Sequence, residues 1–333
     1  MNSKIWAFGD LPSFFLSHDQ NNVQKTKTKK KKKRKTARQL NFNQDIKQIS
    51  VSQKDLIWTT SSNKYYCASV PNGEHIIAEY NTDPIRQISS GINNHYILTK
   101  SGRFFGFVAL LRPYNQNTEF TLFKKENFKV VRISCAGGFT LILCSNNRLY
   151  GIGSNNYGQL NPNQDTFDIK LDNEYYRNHL INPKLIANGV KLISNGYMAS
   201  HCLYLTLDNN LYASGNNFFG QLGIGDSVSN LKPTKILGLQ NNAIRKISLG
   251  FVFSVILINE NEIYTCGKEI SNGTGKELSM FTKLEINEDI RIKDIYTGSR
   301  YCVILTELNK IFVFGSKTSN YFFPSILYYN LHY

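Results

Sequence analysis

The chain has 333 residues, of which 41% are hydrophobic, and this composition favours a globular protein with a sizeable core over a largely disordered one. No apolar run approaches the roughly eighteen residues that a membrane-spanning helix needs, and the first residues lack the pattern of a secretory signal, so we expect an intracellular protein, nuclear or cytoplasmic, with no membrane partner. The net charge is +15, but residues 25–38 alone hold ten basic residues and no acidic one.

Two N-terminal segments precede the main body of the chain. Residues 1–16 contain the apolar stretches "KIWAF" and "SFFL", which we predict as strands that close the fold. Residues 17–45 include the basic run, which cannot pack, so we predict a disordered insertion there. Residues 46–333 are predicted to form the main body of the same fold.

The basic run has three interpretations that its composition does not separate. They are a nuclear-targeting signal, a non-specific contact with nucleic-acid phosphates, and a solvated loop. The residues concerned are Lys29, Lys30, Lys31, Lys32, Lys33, Arg34 and Lys35.

Two landmarks repeat along the chain. The first is an apolar pair that ends in Ile-Ser, with Ile-Tyr in the last unit, and the second is an aromatic residue in a short apolar stretch. From isoleucine to aromatic there are seventeen residues in five units and nineteen in another, whereas the distance to the next unit varies from 22 to 43. This indicates a rigid unit joined by variable surface loops. The isoleucines are Ile49, Ile88, Ile133, Ile193, Ile247 and Ile295, and the aromatics are Trp6, Tyr66, Phe105, Tyr150, Tyr212, Tyr264 and Phe312.

Each complete unit contains three clear strands and a weaker fourth. Between the landmarks lies a stretch such as "CLYLT" or "SVILI", and short polar turns such as "SNNR" and "NEN" follow it. The mean period is near 49 residues, and antiparallel four-stranded units repeated at this period are typical of a β-propeller. We therefore predict an all-β propeller of four-stranded blades, with six complete repeats and one half repeat.

Two units continue with nearly the same phrase, "GSNNYGQL" and "GNNFFGQL". Glycine can turn the backbone where a Cβ would clash, asparagine can close a turn through its side chain, and glutamine can satisfy backbone groups. We predict a structural corner between the third and fourth strands, with no chemical role. Its residues are Gly153, Asn155, Gly158, Gln159, Gly215, Asn217, Gly220 and Gln221.

The phrase and its surroundings resemble the regulator of chromosome condensation repeat. The resemblance is strongest at residues 205–247, where "LT" and "LY" precede the phrase and a proline and "IRKIS" follow it. It implies a propeller with seven blades, although a six-bladed ring with extra terminal strands is the alternative. We expect residues 321–333, "YFFPSILYYNLHY", to contribute to the seam that closes the ring.

The sequence contains no recognisable constellation of catalytic groups. We therefore predict that the protein is not an enzyme and has no metal site or cofactor. The segment "GTGKE" at residues 273–277 echoes a phosphate-binding loop, but Ile270 stands where its first glycine is required and Glu277 where a magnesium-binding hydroxyl is required. No two histidines have the spacing of metal ligands. We expect the six cysteines to be buried, reduced thiols, because none forms a C-x-x-C pair.

The resemblance implies action through protein contacts, since the family includes a guanine-nucleotide exchange factor for the small GTPase Ran. In that factor, an Asp-His pair recurs in the turns between first and second strands. The corresponding turns here lack the pair, and Asn94-His95 comes nearest, which counts against Ran-type exchange. The partner-facing candidates are Asn94, His95, His201 and Asp55. For the two histidines, which lie at the start of second strands, a hydrogen-bonded structural role is the favoured interpretation and a contact on the face is the alternative.

The alternative is a monomeric interaction scaffold without exchange activity, whose contacts lie on the long loops at 112–129 and 161–191. An ultraviolet sensor of the same family would need a tryptophan cluster, and this chain has two tryptophans, Trp6 and Trp58. An enzyme built on a propeller would need convergent carboxylates or a metal site, which the repeat pattern does not contain.

Overall fold

The computed structural model describes residues 5–7, 38–40, 45–51, 55–69, 73–79, 83–92, 94–108, 118–119, 128–160, 179–194, 196, 198–239, 243–269, 271–286, 290–315 and 329–330. Every regular element in these ranges is a β-strand. Six sheets have four antiparallel strands each, arranged side by side in chain order, and we number them blades 1 to 6. The all-β propeller architecture predicted from the repeats is therefore confirmed.

Blades 1 to 3 occupy the first half of the chain, and their strands are β3 (Ile46–Val51), β4 (Asp55–Thr60), β5 (Lys64–Ser69), β6 (Gly73–Glu79), β7 (Ile85–Ser90), β8 (Asn94–Thr99), β9 (Phe104–Val108), β10 (Thr118–Glu119), β11 (Val130–Cys135), β12 (Phe139–Cys144), β13 (Leu149–Ser154) and β14 (His179–Ala187). Blades 4 to 6 contain β15 (Val190–Ser194), β16 (His201–Thr206), β17 (Leu211–Gly215), β18 (Asn230–Lys235), β19 (Ile244–Leu249), β20 (Phe253–Ile258), β21 (Glu262–Gly267), β22 (Leu278–Lys283), β23 (Ile292–Thr297), β24 (Tyr301–Thr306), β25 (Lys310–Gly315) and β26 (Tyr329–Asn330).

A two-stranded sheet accounts for the half repeat at the start of the sequence. In it, β1 (Ile5–Ala7) pairs antiparallel with β2 (Arg38–Leu40). The strand β2 lies inside the 17–45 segment that we predicted as disordered, so that prediction is wrong for these three residues. Residues 8–37, including the run from Lys29 to Lys35, lie outside the described residues.

The C-terminal strand completes blade 6. Within the stretch that we expected at the ring seam, Tyr329–Asn330 forms β26 and pairs with β25 as the fourth strand of its own blade. The outer edge of β25 otherwise presents unpaired backbone groups, which a neighbouring strand satisfies.

The strand register explains the constant seventeen-residue spacing. In blade 5, Ile247 lies opposite Ile256 on the second strand, which lies opposite Tyr264 on the third. The same three positions align in every blade, so the two landmarks flank the middle strand in each. In blade 4 the row is Ile193, Tyr204 and Tyr212. This unit has the nineteen-residue spacing, and its two extra residues lie between the first and second strands.

The hydrophobic core is divided among the interfaces between blades. Five buried clusters each join apolar residues from two consecutive blades, from blades 1 and 2 to blades 5 and 6. All six residues of β12 and of β20 are buried. Such strands read as continuous apolar runs because both of their faces pack against neighbouring blades.

Side-chain hydrogen bonds hold the first strands of successive blades side by side. Gln48 accepts from the Ile88 amide at 3.0 Å and donates to the Arg86 carbonyl at 2.8 Å. Gln87 in turn accepts from the Ile133 amide at 3.1 Å and donates to its carbonyl at 2.7 Å. Neighbouring first strands thus share one direction, which gives the propeller two distinct faces.

We name these two faces by their connections. The corner face carries the turns between first and second strands and the corners that follow third strands, including 136–138, 155–160, 198–200 and 216–225. The hairpin face carries the turns between second and third strands, including 61–63, 100–103, 145–148, 207–210, 259–261 and 307–309. Five of these hairpins place an asparagine at φ between 52° and 60°, a conformation that asparagine tolerates.

Candidate partner-binding face

The first glycine-bracketed corner is closed by its own side chains. The Asn155 carboxamide oxygen accepts from the Leu160 amide at 2.8 Å. The Gln159 side chain accepts from the Tyr157 amide at 2.9 Å and donates to the Ser154 carbonyl at 2.9 Å. Leu160, 1% exposed, anchors the corner in the core between blades 3 and 4.

The second corner repeats this arrangement and adds a larger loop. Asn217 accepts from the Leu222 amide at 2.9 Å, and Gln221 accepts from the Phe219 amide at 2.9 Å. The Asn217 amide group also donates to the Asp226 carbonyl and carboxylate, both at 3.0 Å, and to the Val228 carbonyl at 3.1 Å. Asn217 is fully buried, so these bonds satisfy groups that water cannot reach.

Each corner also bonds to the next blade through its glutamine carbonyl. The Gln159 carbonyl accepts from Cys202 Sγ at 3.1 Å and Ser214 Oγ at 3.2 Å. The Gln221 carbonyl accepts from Ser254 Oγ at 2.6 Å and Cys266 Sγ at 3.4 Å. Serine and cysteine have exchanged places between these two blades, since Cys202 lies opposite Ser214, as Ser254 lies opposite Cys266.

Burial keeps these sulfur atoms protonated. It raises the pKa of the Cys202 thiol to about 11 and shifts the pKa of Cys266 in the same direction. A thiol in this state donates a weak hydrogen bond and is a poor nucleophile. Both cysteines are free and buried, as predicted, and they act as parts of the scaffold.

The glycine that opens each corner is required by close packing on the second strand. Gly215 has a φ of 110°, and a Cβ there would lie 2.6 Å from the Ser200 carbonyl oxygen and 2.8 Å from the Cα of His201. Gly153 has a similar φ of 105° and similar close contacts. Glycine three residues after the aromatic therefore marks where the end of the third strand lies directly opposite the start of the second strand.

Three of the four predicted partner-facing residues occupy one structural position. Asp55, Asn94 and His201 are the first residues of β4, β8 and β16, in blades 1, 2 and 4. The side chains of Asp55 and Asn94 lie outside the described residues. In blades 3 and 5 the same position holds Phe139 and Phe253, both fully buried, which makes it a packing position there.

His201 is buried rather than partner-facing. Its exposure is 0%, and Nε2 lies 2.9 Å from Ser254 Oγ. That hydroxyl donates its hydrogen to the Gln221 carbonyl, so it accepts from Nε2–H, and the ring is the Nε2–H tautomer. Within the described part of the chain, Nδ1 is buried without a hydrogen-bond partner. Burial lowers the pKa of His201 to about 3, so the ring is neutral at physiological pH.

His95 lies next to Asn94 and is also buried, at 5% exposure. Burial of both rings agrees with the structural interpretation of these two histidines and leaves neither imidazole exposed on the corner face. The start of the second strand pairs with the end of the third strand, and the side chains of His95 and His201 are buried there. Sequence alone could not separate these cases, because histidine occurs in both buried and exposed settings.

Exposed aromatic side chains lie on the corner face, and the sequence reasoning did not single them out. Phe218 is 60% exposed and meets Tyr157 of the preceding corner edge-on, with ring centroids 6.1 Å apart. Lys268 Nζ lies over the Phe219 ring at 4.1 Å. Tyr301, at the start of β24, is 48% exposed. The available signal was the first aromatic of "NNFFGQL", Phe218, where the other corner has Asn156.

The long loops that we proposed as contact sites are only partly described. Within 161–191, residues 179–187 form the fourth strand of blade 3, which shortens the connection. Within 112–129, residues 118–119 form the short fourth strand of blade 2. The remaining contacts predicted for these loops fall outside the described residues.

The segment "GTGKE" belongs to another corner. The Asn272 amide group donates to the carbonyls of Gly267 at 2.8 Å and Lys276 at 2.7 Å, and its oxygen accepts from the Thr274 amide at 2.9 Å. Among the residues that the structure describes, no group of histidine, cysteine and acidic side chains could hold a metal ion. The same residues contain no helix that could span a membrane.

Comparison with known proteins agrees with this architecture. Residues 208–257 and 130–159 match the Regulator of chromosome condensation (RCC1) repeat. The chain is 33% identical over 135 residues to the guanine nucleotide exchange factor SRM1 of Saccharomyces cerevisiae, covering 38% of this chain and 26% of that protein. It is 26% identical over 202 residues to the human E3 ubiquitin-protein ligase HERC2, covering 58% of this chain and 4% of the ligase.

Among solved structures, Prp20p from Saccharomyces cerevisiae, studied for its binding to Gsp1p and histones, aligns with a TM-score of 0.69 at 18% identity, over 81% of this chain and 72% of that one. The chain spans less than half the length of the curated relatives named here. Each of the two matching segments contains one of the corners, at Gln159 and at Gln221. Residues 130–159 and 208–257 are therefore regulator of chromosome condensation (RCC1) repeats, and the chain folds as a β-propeller.

Proposed function

We propose that this protein is a non-enzymatic regulatory propeller that binds a protein partner through its corner face, with a small GTPase as the first candidate. The exposed aromatic group around Phe218 carries the proposal. The exposed Phe218 ring meets the half-buried Tyr157 ring, and Lys268 lies over the adjacent Phe219 ring. Aromatic rings beside a cation are typical anchors of protein interfaces. The similarity to the exchange factor SRM1 supports the choice of a GTPase.

The second candidate is an interaction scaffold without exchange activity, and the buried histidines favour it. An exchange factor needs exposed polar side chains that contact the nucleotide site of its partner. His95 and His201 are 5% and 0% exposed, so neither imidazole is available for that task. Both candidates use the same face, and they differ in whether nucleotide release follows binding.

The N-terminal segments complete the proposal. Residues 1–16 and 46–333 form one propeller, and the basic run at 29–35 directs the protein to the nucleus or contacts nucleic-acid phosphates beside the protein partner. The propeller acts as a monomer, in the nucleus or the cytoplasm.

Nucleotide release tests the first candidate directly. A panel of small GTPases, Ran included, is loaded with fluorescent GDP, and release is followed with the full chain at low micromolar concentration. The matched variants are Phe218→Ala on the corner face and Leu237→Ala elsewhere, since these side chains are 60% and 68% exposed. We expect faster release from one GTPase, reduced at least tenfold by Phe218→Ala and unchanged by Leu237→Ala.

Other outcomes separate the candidates. A GTPase that binds in a Phe218-dependent manner without faster release would support the scaffold and reject exchange. Release that Phe218→Ala and Leu237→Ala affect equally would reject the corner face as the binding surface. If no GTPase binds or is activated, the GTPase assignment is wrong.

A further inference from the structure

The first strands of all six blades contain the same irregularity. In each blade, the pairing register between the first strand and its neighbour shifts at the second residue of the first strand. That residue therefore has no partner opposite it. Such a bulge turns one extra side chain away from the regular pleat. The six bulged residues are Lys47, Arg86, Val131, Lys191, Arg245 and Lys293.

Five of these six bulged residues are cationic, and all five are exposed. Their strands begin at the hairpin face. First strands of successive blades contact one another, which places them at the inner edge of each blade. We call these five side chains the inner cation ring. In blade 3, where valine holds the position, the next residue is the exposed Arg132.

Among the residues that the structure describes, no acidic side chain pairs with the inner cation ring. Lys47 Nζ donates to the Ile85 carbonyl at 3.4 Å, Arg245 to the Asn259 carbonyl at 3.3 Å, and Lys191 to the Asn209 side chain. All of these acceptors are uncharged. Within the described ranges, no member of the ring forms an ion pair, in contrast to Lys246, which pairs with Asp294.

Two acidic residues, Asp45 and Asp83, precede the first strands of blades 1 and 2, and their carboxylates accept hydrogen bonds from serines of the hairpins. Asp45 accepts from Ser61 Oγ at 2.7 Å, and Asp83 accepts from Ser101 Oγ at 2.5 Å. Asp208, Glu260 and Glu307 lie on hairpins between second and third strands, farther out in each blade. In the described part of the chain, the hairpin face thus has cations on its first strands and both signs of charge on the hairpins around them.

This distribution of charge on the hairpin face favours the binding of a narrow polyanion. A broad anionic surface or a nucleic-acid duplex laid across the face would also meet the outer acidic residues. Single-stranded nucleic acid binds best where aromatic rings stack on its bases, and the large apolar side chains exposed on the described hairpins are Leu207 and Leu308. Lysine and arginine beside leucine suit carboxylates on a peptide instead.

We propose that the inner cation ring binds an acidic peptide segment of a protein partner at the centre of the hairpin face. The proposal rests on the proposed function only in that the partner is a protein. It adds a second contact, on the face opposite the exposed aromatic residues. A partner that engaged both faces would gain affinity from the linkage.

The test compares two double charge reversals in the full chain. Lys191→Glu/Arg245→Glu changes the ring, whereas Lys235→Glu/Lys276→Glu changes two other exposed cations by the same net charge. The probe is a fluorescein-labelled decaglutamate peptide, followed by fluorescence anisotropy at low salt. We expect the ring variant to weaken binding at least tenfold and the control variant to change it less than twofold. Matching circular dichroism melts check that both variants fold.

A photo-crosslinkable decaglutamate then locates the site in the unmodified protein. Crosslinks at the starts of the first strands are expected, and crosslinks confined to residues 25–38 would overturn the proposal. Equal weakening by both double variants, no loss in either, or tighter binding of a ten-nucleotide oligothymidylate would overturn it as well. These measurements do not depend on nucleotide release. The peptide-binding result therefore stands or fails on its own, even if the GTPase assignment is wrong.

Discussion

The buried histidine of blade 4 gives the stability of this protein a defined pH dependence. Burial lowers the pKa of His201 from its ordinary 6.5 to about 3. As pH falls below 6.5, the unfolded chain binds a proton that the folded protein excludes. The contribution of His201 is therefore fully present above pH 6.5 and declines as pH falls towards 3.

The expected loss follows from the proton uptake of the unfolded state. Between pH 7.5 and pH 5, excluding this proton lowers the free energy of unfolding by about 2 kcal/mol. At pH 5 the figure depends mainly on the unfolded pKa, because the folded pKa lies well below that pH. Other groups also titrate in this range, so a matched variant must isolate the effect of one residue.

His201→Phe is the matched variant, because phenylalanine occupies the same position in blades 3 and 5 and is fully buried there. Ser254 keeps its hydrogen bond to the Gln221 carbonyl. Urea unfolding at pH 7.5 and pH 5, followed by circular dichroism, should show a wild-type loss that exceeds the variant loss by about 2 kcal/mol. Equal losses, or a His201 ring resonance that titrates near pH 6 in the folded protein, would refute the reasoning.

Three further predictions concern the scaffold, and each is measured by urea unfolding at neutral pH. Gly215→Ala should lower the free energy of unfolding by about 2–4 kcal/mol, because its Cβ would lie 2.6 Å from a carbonyl oxygen. Gly225→Ala, with a φ of 104° but open space around it, should lose only about 1 kcal/mol, and equal losses would show that contact plays no part. Asn217→Ala should lose about 3 kcal/mol and Asn155→Ala about half of that, because Asn217 makes the larger set of buried bonds, and the reverse order would contradict the corner geometry. Gln87→Ala should lose about 1–2 kcal/mol by removing both bonds to Ile133, and an unchanged value would show that these bonds do not hold blades 2 and 3 together.

The repeat and its register could be predicted from sequence because each landmark answers a constraint that recurs in every blade. Isoleucine and aromatic residues keep their spacing because they flank the same middle strand, as Ile247 and Tyr264 do. The glycine that follows the aromatic keeps its place because a Cβ there would meet the second strand. Such constraints are local and repeated, so one chain displays them several times.

The partner-facing residues could not be predicted in this way. His201 and Phe253 share a structural position, and only packing shows that both are buried. The inner cation ring was also missed, because a bulge is visible only when the pairing of two strands is known. The strand β2 was missed because its partner, β1, lies more than thirty residues away in sequence.

The residues that mark the family and the residues that would select a partner are largely different sets. Gln159 and Gln221 identify the repeat, yet their side chains form hydrogen bonds within the corner and their carbonyls accept hydrogen bonds from the next blade. Phe218 stands where the other corner has asparagine, so the scaffold does not require it. Side chains that the fold does not need for its stability can be substituted without unfolding the propeller. Partner choice should therefore change when Phe218 or the inner cation ring is altered, while substitutions in the corners should change stability first.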